Sequence, residues 1–279
     1  MVRILGLGDN TVDTYVDAGM QYPGGNAVNV AALSRRLGAD ASYLGCLGDD
    51  PAGRLVHDAL AAEGVDLSRV RFRPGENARA MIGHRDGDRR FLSSRPGVRA
   101  QYGLGEDDFA FIAAHDLTHT SVYSELSADL PRIAGAARCL SFDFSERWDE
   151  DLLARTLPFI DIAFLSCPAL PEARCAELLT RFGSGAVVVA TRGTAGSIAA
   201  ADGAIHHQGV VPTQVIDTLG AGDAFIAAFL VARLQGRALP DCLREGAMFA
   251  ARACTWPGGF GHGTPWRAET VQAKEAIDP

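Results

Sequence analysis

The stretch Val215-Ile216-Asp217-Thr218-Leu219-Gly220-Ala221-Gly222-Asp223-Ala224-Phe225-Ile226-Ala227-Ala228-Phe229-Leu230 runs from a small-residue turn straight into an apolar segment. The apolar spacing predicts a helix over about 221–234. Small residues at its entrance let backbone N–H groups converge with no side chain in the way. A helix N-terminus offers unpaired N–H donors and partial positive charge, a ready anion site. Gly220, Ala221 and Gly222 would hold the charge of a transferring phosphoryl group. Asp223, in the first turn beside the same anion, would take the proton of an attacking hydroxyl. Alone, the turn serves equally as an ordinary loop whose Asp223 favours the helix dipole, because short glycine motifs recur by chance.

Outward from this turn, strand-like and helix-like runs alternate. Residues 2–8 form an apolar run ending in glycine, 26–37 read as a helix with Asn26 as cap, and 41–47 as the next strand. Asp50 and Pro51 start a helix that stops at Gly64. The runs 78–84 and 89–94 flank Arg85-Asp86-Gly87-Asp88, a hairpin signal that interrupts the pattern. Alternation resumes through helices at 106–114, 128–137, 151–157 and 171–182 and strands at 117–122, 139–144, 160–165 and 186–191. A second hairpin signal is Asp202-Gly203, and helices over 221–234 and 239–254 close the chain. The order predicts an α/β fold: a mostly parallel central sheet, helices on both faces, and an inserted β lid from about 11–20 and 78–95, all within one domain over 1–279.

Three further clusters carry chemistry. Gly24 and Gly25 precede a helix and permit close backbone approach to a ligand, while Asn29, one turn in, offers a donor and an acceptor to sugar hydroxyls. Read alone, this block is a capped helix after a turn. Thr191-Arg192-Gly193-Thr194-Ala195-Gly196 is a glycine-rich turn at a strand's C-terminal end, where open α/β sheets bind ligands, although a plain hairpin approach would look the same. In Gly8-Asp9-Asn10-Thr11-Val12-Asp13, a dinucleotide fingerprint fails at Thr11, and Asp9 and Asp13 read instead as polar ligands at a strand end. That failure disfavours a dinucleotide-dependent dehydrogenase.

Composition removes other classes. The net charge of −8 and the absence of a basic stripe argue against nucleic acid as partner. No apolar run reaches the roughly 18 residues of a membrane span, and the opening residues lack a leader pattern, so a cytoplasmic protein is expected. The only lysine is Lys274, near the C-terminus. Neither a P-loop nor the strand lysine of a protein kinase is therefore available. Phosphates must be held by backbone amides or arginines. The six cysteines form no C-x-x-C pair and read as small buried hydrophobes in a reducing compartment. His115 and His119 have helical spacing but fall on a strand, which breaks up any shared metal-binding face.

Together the four clusters, in this order and spacing, resemble the ribokinase (PfkB) family of carbohydrate kinases from Gly8 to about Gly259. The D-T-x-G-A-G-D signature is complete at Asp217–Asp223, and Gly24 to Asn29 matches the G-G-x-x-x-N block. The resemblance implies that Asp223 is the base and Gly220, Ala221 and Gly222 the anion hole. It implies that Asp13, Gly25 and Asn29, with Asp9 and Gly24 beside them, hold the sugar, and that Thr191, Gly193, Gly196 and Thr218 border the nucleotide. It further implies ATP with Mg²⁺, and a monovalent cation such as K⁺ at Asp217 and carbonyls near Ala253, Trp256 and Gly258. One departure stands out: where the family often carries N-x-x-E, this chain reads Ser166-Cys167-Pro168-Ala169, and Glu172 is out of register. Phe142-Asp143-Phe144-Ser145-Glu146-Arg147-Trp148-Asp149 lies outside the general pattern and resembles a subgroup acting on the 6-hydroxyl of fructosamines such as fructoselysine. On that reading Asp9 would meet the substrate amine and Arg95 or Arg99 its carboxylate. A fructokinase-like or other sugar kinase, and a non-catalytic sugar or nucleotide sensor, remain open. A homodimer through the lid is expected from its exposed edges.

Overall fold

In the computed structural model, residues 1–85, 88–99, 101, 103–183 and 185–267 are described. The elements run β1 (Arg3–Gly8), β2 (Thr11–Tyr15), β3 (Met20–Gly24), α1 (Asn26–Arg36), β4 (Asp40–Gly48), α2 (Pro51–Ala62) and β5 (Arg71–Arg73). They continue β6 (Arg79–Arg85), β7 (Asp88–Arg95), α3 (Glu106–Ala113), β8 (Leu117–Ser121), α4 (Leu130–Ala136), β9 (Leu140–Asp143) and α5 (Glu150–Thr156). The last are β10 (Ile162–Ser166), α6 (Glu172–Phe182), β11 (Val187–Thr191), β12 (Ser197–Ala201), β13 (Ala204–Gln208), α7 (Ala221–Leu234), α8 (Leu239–Ala253) and β14 (Thr264–Pro265).

Nine strands form the main sheet in the order β13-β12-β11-β10-β9-β8-β1-β4-β5. The pairs from β11 through β5 are parallel, and at the other edge the pairs β11–β12 and β12–β13 are antiparallel. Parallel strands buried on both faces need apolar residues at successive positions, and they have them. On β1, Ile4 enters one core while Leu5 and Leu7 enter the other; on β10, Phe164 takes one side and Ala163 and Leu165 the opposite side. The first core is closed by α1, α7 and α8 (Val28, Phe229, Leu243). The second is closed by α3, α4, α5 and α6 (Ile112, Ile133, Leu153, Leu179). Each such side chain, fully buried, contributes about 1.5–3 kcal/mol. Helix α7 is buried along Ala224–Ala232, which accounts for its apolar character on every side. A helix wedged in this way gives its first turn a fixed position.

A second sheet has the order β14-β3-β2-β6-β7. Its strands β2 and β3 are inserted between β1 and α1, β6 and β7 between β5 and α3, and β14 follows α8. It is mixed, since β2 and β6 are parallel and the other pairs antiparallel. Tyr15, Tyr22 and Ile82 form its small core, with Leu219 of the turn before α7 packed against them. The sheet is larger than the sequence suggests. Strand β3 contains Pro23 and lacks clean alternation, and β14 is only two residues long; β5, at the edge of the main sheet, has only three. Asn26 is the first helical residue of α1, with Gly25 rather than Asn26 at the cap position. Asp50 does cap α2, accepting from the Gly53 amide at 2.8 Å, with Pro51 at the first helical position. Asp202 (φ 49°) and Gly203 (φ 78°) are both left-handed, as a tight hairpin between β12 and β13 requires. The other expected turn, Asp86-Gly87, lies outside the described residues. All six cysteines are free; Cys139 and Cys254 are only partly buried, unlike the other four.

Candidate active site

The C-terminal ends of β1, β8 and β9 converge on the N-termini of α1 and α7. Gly220 makes the turn into α7 possible. It is left-handed (φ 76°), and a Cβ there would lie 2.6 Å from the Gly259 Cα. Past it, Gly222 faces open space, with no atom within 4 Å of the place a Cβ would occupy. The Ala221 amide donates to the Thr218 carbonyl at 3.3 Å, and the N–H groups of Gly222 and Asp223 have no partner within the helix. An open, positively polarised helix end of this kind fits phosphate oxygens.

Asp223 is the third residue of α7. Asn29 Nδ2 donates to one carboxylate oxygen at 2.5 Å, and Asn26 Nδ2 to the other at 2.8 Å. Burial pushes the Asp223 pKa up to about 6; the two amide donors oppose the rise and the charge of Asp9 adds to it. The residue keeps an exposed edge, so its carboxyl is both desolvated and reachable. Asn29 Oδ1 is buried without a hydrogen-bond partner among the described residues. It is an acceptor suited to a ligand hydroxyl.

Asp13, on β2, is 5% exposed. Its carboxylate lies over Gly24, where a Cβ would come within 2.2 Å of Oδ2. The absent side chain at position 24 is what leaves room for this acid. Gly25 (φ 106°) lies against the Asn10 backbone. Asp9 is engaged by donors of the chain itself. Its carboxylate accepts from the Asn26 amide (2.6 Å), the Ala27 amide (3.4 Å) and the hydroxyls of Ser121 (2.8 Å) and Ser124 (2.9 Å). Oδ1 takes three of these donors and Oδ2 the Asn26 amide, so Asp9 ties the start of α1 to the end of β8.

Thr191 ends β11, and Gly193 (φ 57°) and Gly196 (φ 85°) shape the turn after it. Beside them Arg192 pairs with Glu172 at 2.9 Å, and Glu172 also meets His207 at 3.3 Å. The acid nearest the missing N-x-x-E is thus engaged by Arg192 and the His207 ring. Arg99 approaches Glu125 at 3.9 Å, and Arg95 approaches Glu76 at 3.6 Å. Thr218 is exposed at the turn before α7. Asp217 accepts from the Tyr15 hydroxyl (2.5 Å) and from the amides of Leu219 and Gly258 (both 2.9 Å). These donors use much of its acceptor capacity. Among the described residues no group of three or more His, Cys, Asp or Glu side chains is placed to hold a metal ion.

Asn26, Asp143, His119 and Tyr15 join this site without having been singled out for it. Asp143, at the end of β9, accepts from Asn26 Nδ2 at 3.0 Å and from the Ser145 amide at 2.8 Å. Burial, reinforced by Asp223 and Asp9, pushes its pKa up to about 8. The only sequence signal for it is the unusual stretch 142–149.

The same architecture occurs in solved kinases. An Arabidopsis thaliana ribokinase complexed with ribose and ATP superposes with a TM-score of 0.81 over 94% of this chain and 95% of that one, at 22% identity. At that identity the likeness speaks for the fold. In sequence, the pfkB family carbohydrate kinase model matches residues 5–263. The fructosamine kinase FrlD of Bacillus subtilis is 43% identical over 280 residues, covering 98% of each chain. The fructoselysine 6-kinase of Escherichia coli is 35% identical over 262 residues, covering 93% of this chain and 100% of that protein. The chain is an ATP-dependent sugar kinase. It belongs to the pfkB family of carbohydrate kinases.

Proposed function

We propose that this kinase phosphorylates the 6-hydroxyl of a fructosamine, a ketose carrying an amino compound on C1, of which fructoselysine is an example. Its likeness to two kinases named for such substrates supports the choice of acceptor. The observation that carries the chemistry is the Asp223 carboxylate, fixed by Asn26 and Asn29 at the open N-terminus of α7. Asp13, Gly24, Gly25 and Asn29 border the sugar, with the unpartnered Asn29 Oδ1 ready to accept from a hydroxyl. Asp223 takes the proton of that hydroxyl as its oxygen forms a bond to the γ-phosphorus of ATP. The bond from that phosphorus to the bridging oxygen breaks, and ADP leaves. Charge on the transferring group rests on the amides of Gly220, Ala221 and Gly222. Thr191, Gly193, Gly196 and Thr218 border the nucleotide.

Mg²⁺ would supply charge neutralisation at the phosphates and would be held mainly by the nucleotide, because Glu172 is engaged by Arg192 and His207. Asp217 and nearby carbonyls are the place for a monovalent cation, provided Tyr15, Leu219 and Gly258 share the carboxylate. The second sheet acts as a lid on the sugar and excludes water. The protein works in the cytoplasm as one domain; among the described residues no helix is long and apolar enough to cross a membrane.

The test is the Asp223→Asn variant with fructoselysine, ATP and Mg²⁺, the product being located by NMR. Turnover is expected to fall roughly 100- to 10,000-fold with sugar binding retained, and the native product to carry phosphate on C6. Unchanged turnover would remove the base assignment, and phosphate on another carbon would remove the 6-hydroxyl.

A further inference from the structure

Behind the base lies a buried chain of hydrogen bonds that phosphoryl transfer, as described above, does not use. Asn26 Nδ2 faces two carboxyls, Asp223 at 2.8 Å and Asp143 at 3.0 Å, and donates to both. Its Oδ1 must then face the other way, and His119 Nε2 lies 2.8 Å from it. That nitrogen therefore carries the ring proton and donates it. The ring is neutral, since complete burial drives its pKa down to about 3. A neutral ring protonated on Nε2 accepts at Nδ1, where the Ser141 hydroxyl stands 3.0 Å away as donor. His119 and Ser141 are 0% exposed. The order Ser141, His119, Asn26, Asp223 is thus self-consistent in one direction only. Turning the Asn26 amide over would aim its oxygen at the Asp223 carboxylate.

We propose that His119 is a positioning residue for the base: its ring N–H locks the Asn26 amide in the one orientation that holds the Asp223 carboxylate beside Asp143. The histidine touches no substrate. Strand β8 supplies it and β9 supplies the serine, so the main sheet itself sets the geometry of an acid on α7. The inference rests on Asp223 being the base. The titratable groups facing Asp223 are Asp9 and Asp143, and both are acids. Nothing cationic among them would hold the carboxylate ionised in place of the two asparagines.

The test compares His119→Gln, whose amide nitrogen reaches toward the Nε2 position, with His119→Asn, one methylene shorter. In His119→Asn, kcat is expected to fall roughly 10- to 100-fold, as ångström-scale misplacement of a reacting group does, with the KM for sugar nearly unchanged. The acid limb of the kcat profile should move to higher pH, because losing the Asn26 hydrogen bond removes a contact that favours ionised Asp223. His119→Gln should recover most of the rate and return the limb. An unmoved limb in His119→Asn, or a glutamine no better than asparagine, would overturn the proposal. If His119→Asn does not fold, Ser141→Ala decides: it should shift the limb in the same direction by less, and no shift would count against the relay. Asp223→Asn, assayed alongside, separates the two readings. Full turnover there removes the base itself, whereas lost turnover there with normal His119 variants removes only the relay.

Discussion

Asp223 and Asp143 lie on either side of one asparagine amide, and burial raises both above the ordinary carboxylate range, to about 6 and about 8. The separation gives them different charges near neutrality: Asp223 is mostly ionised and Asp143 mostly protonated. A base must be ionised to accept a proton. The rate should therefore fall as pH drops through about 6, and a steady-state kcat profile from pH 5 to pH 9 checks this. A rate that stays flat down to pH 5 would contradict the assignment. The position of Asp223 was legible in the sequence because it is local, a carboxylate in the first turn past a glycine entrance. Asp143 and His119 were not, because their roles depend on β8 and β9 lying side by side under α1. The partners of Asp9 were hidden for a related reason: Ser121 and Ser124, which donate to its Oδ1, lie more than a hundred residues away in sequence.

At the scale of elements, the turn before α7 is held from two sides. Gly220 fits against Gly259, and Asp217 ties the turn to β2 through the Tyr15 hydroxyl. Tyr15 also stacks edge-on against Tyr22 of β3, with centroids 5.2 Å apart. The second sheet and the anion-binding turn are therefore mechanically joined. Tyr15→Phe keeps the ring contact and removes a hydrogen bond to a charged acceptor, which costs about 1.5–3 kcal/mol. A urea titration should show that loss as a lower midpoint with an unchanged slope, and an unshifted midpoint would mean that the contact contributes nothing. The helices and parallel strands could be read from their periodicity and caps, as Asp50-Pro51 illustrates. Strands β3, β5 and β14 could not, since short strands gain their order from pairing and not from their own pattern.

Across the whole molecule, two cores on the faces of one sheet fix the catalytic edge, and the smaller sheet stands over it. Strand β7 forms the outer edge of that smaller sheet and presents Phe91 (63% exposed) and Leu92 (59% exposed). A homodimer formed through this edge is the expected state, and light scattering at assay concentration should give twice the monomer mass; a monomer would rule the dimer out. The α/β class and the inserted sheet were legible in the order of elements, whereas the identity of the acceptor sugar was not, because a pocket distinguishes substituents by contacts that no spacing encodes. The most direct measurement of the central claim is kcat/KM for ATP-dependent phosphorylation across fructoselysine, other fructose–amino-acid adducts, glucoselysine, fructose and ribose, with Mg²⁺ and K⁺ present. The fructosamines should exceed fructose and ribose; equal or higher values for the plain sugars, or no turnover on any of them, would contradict the account.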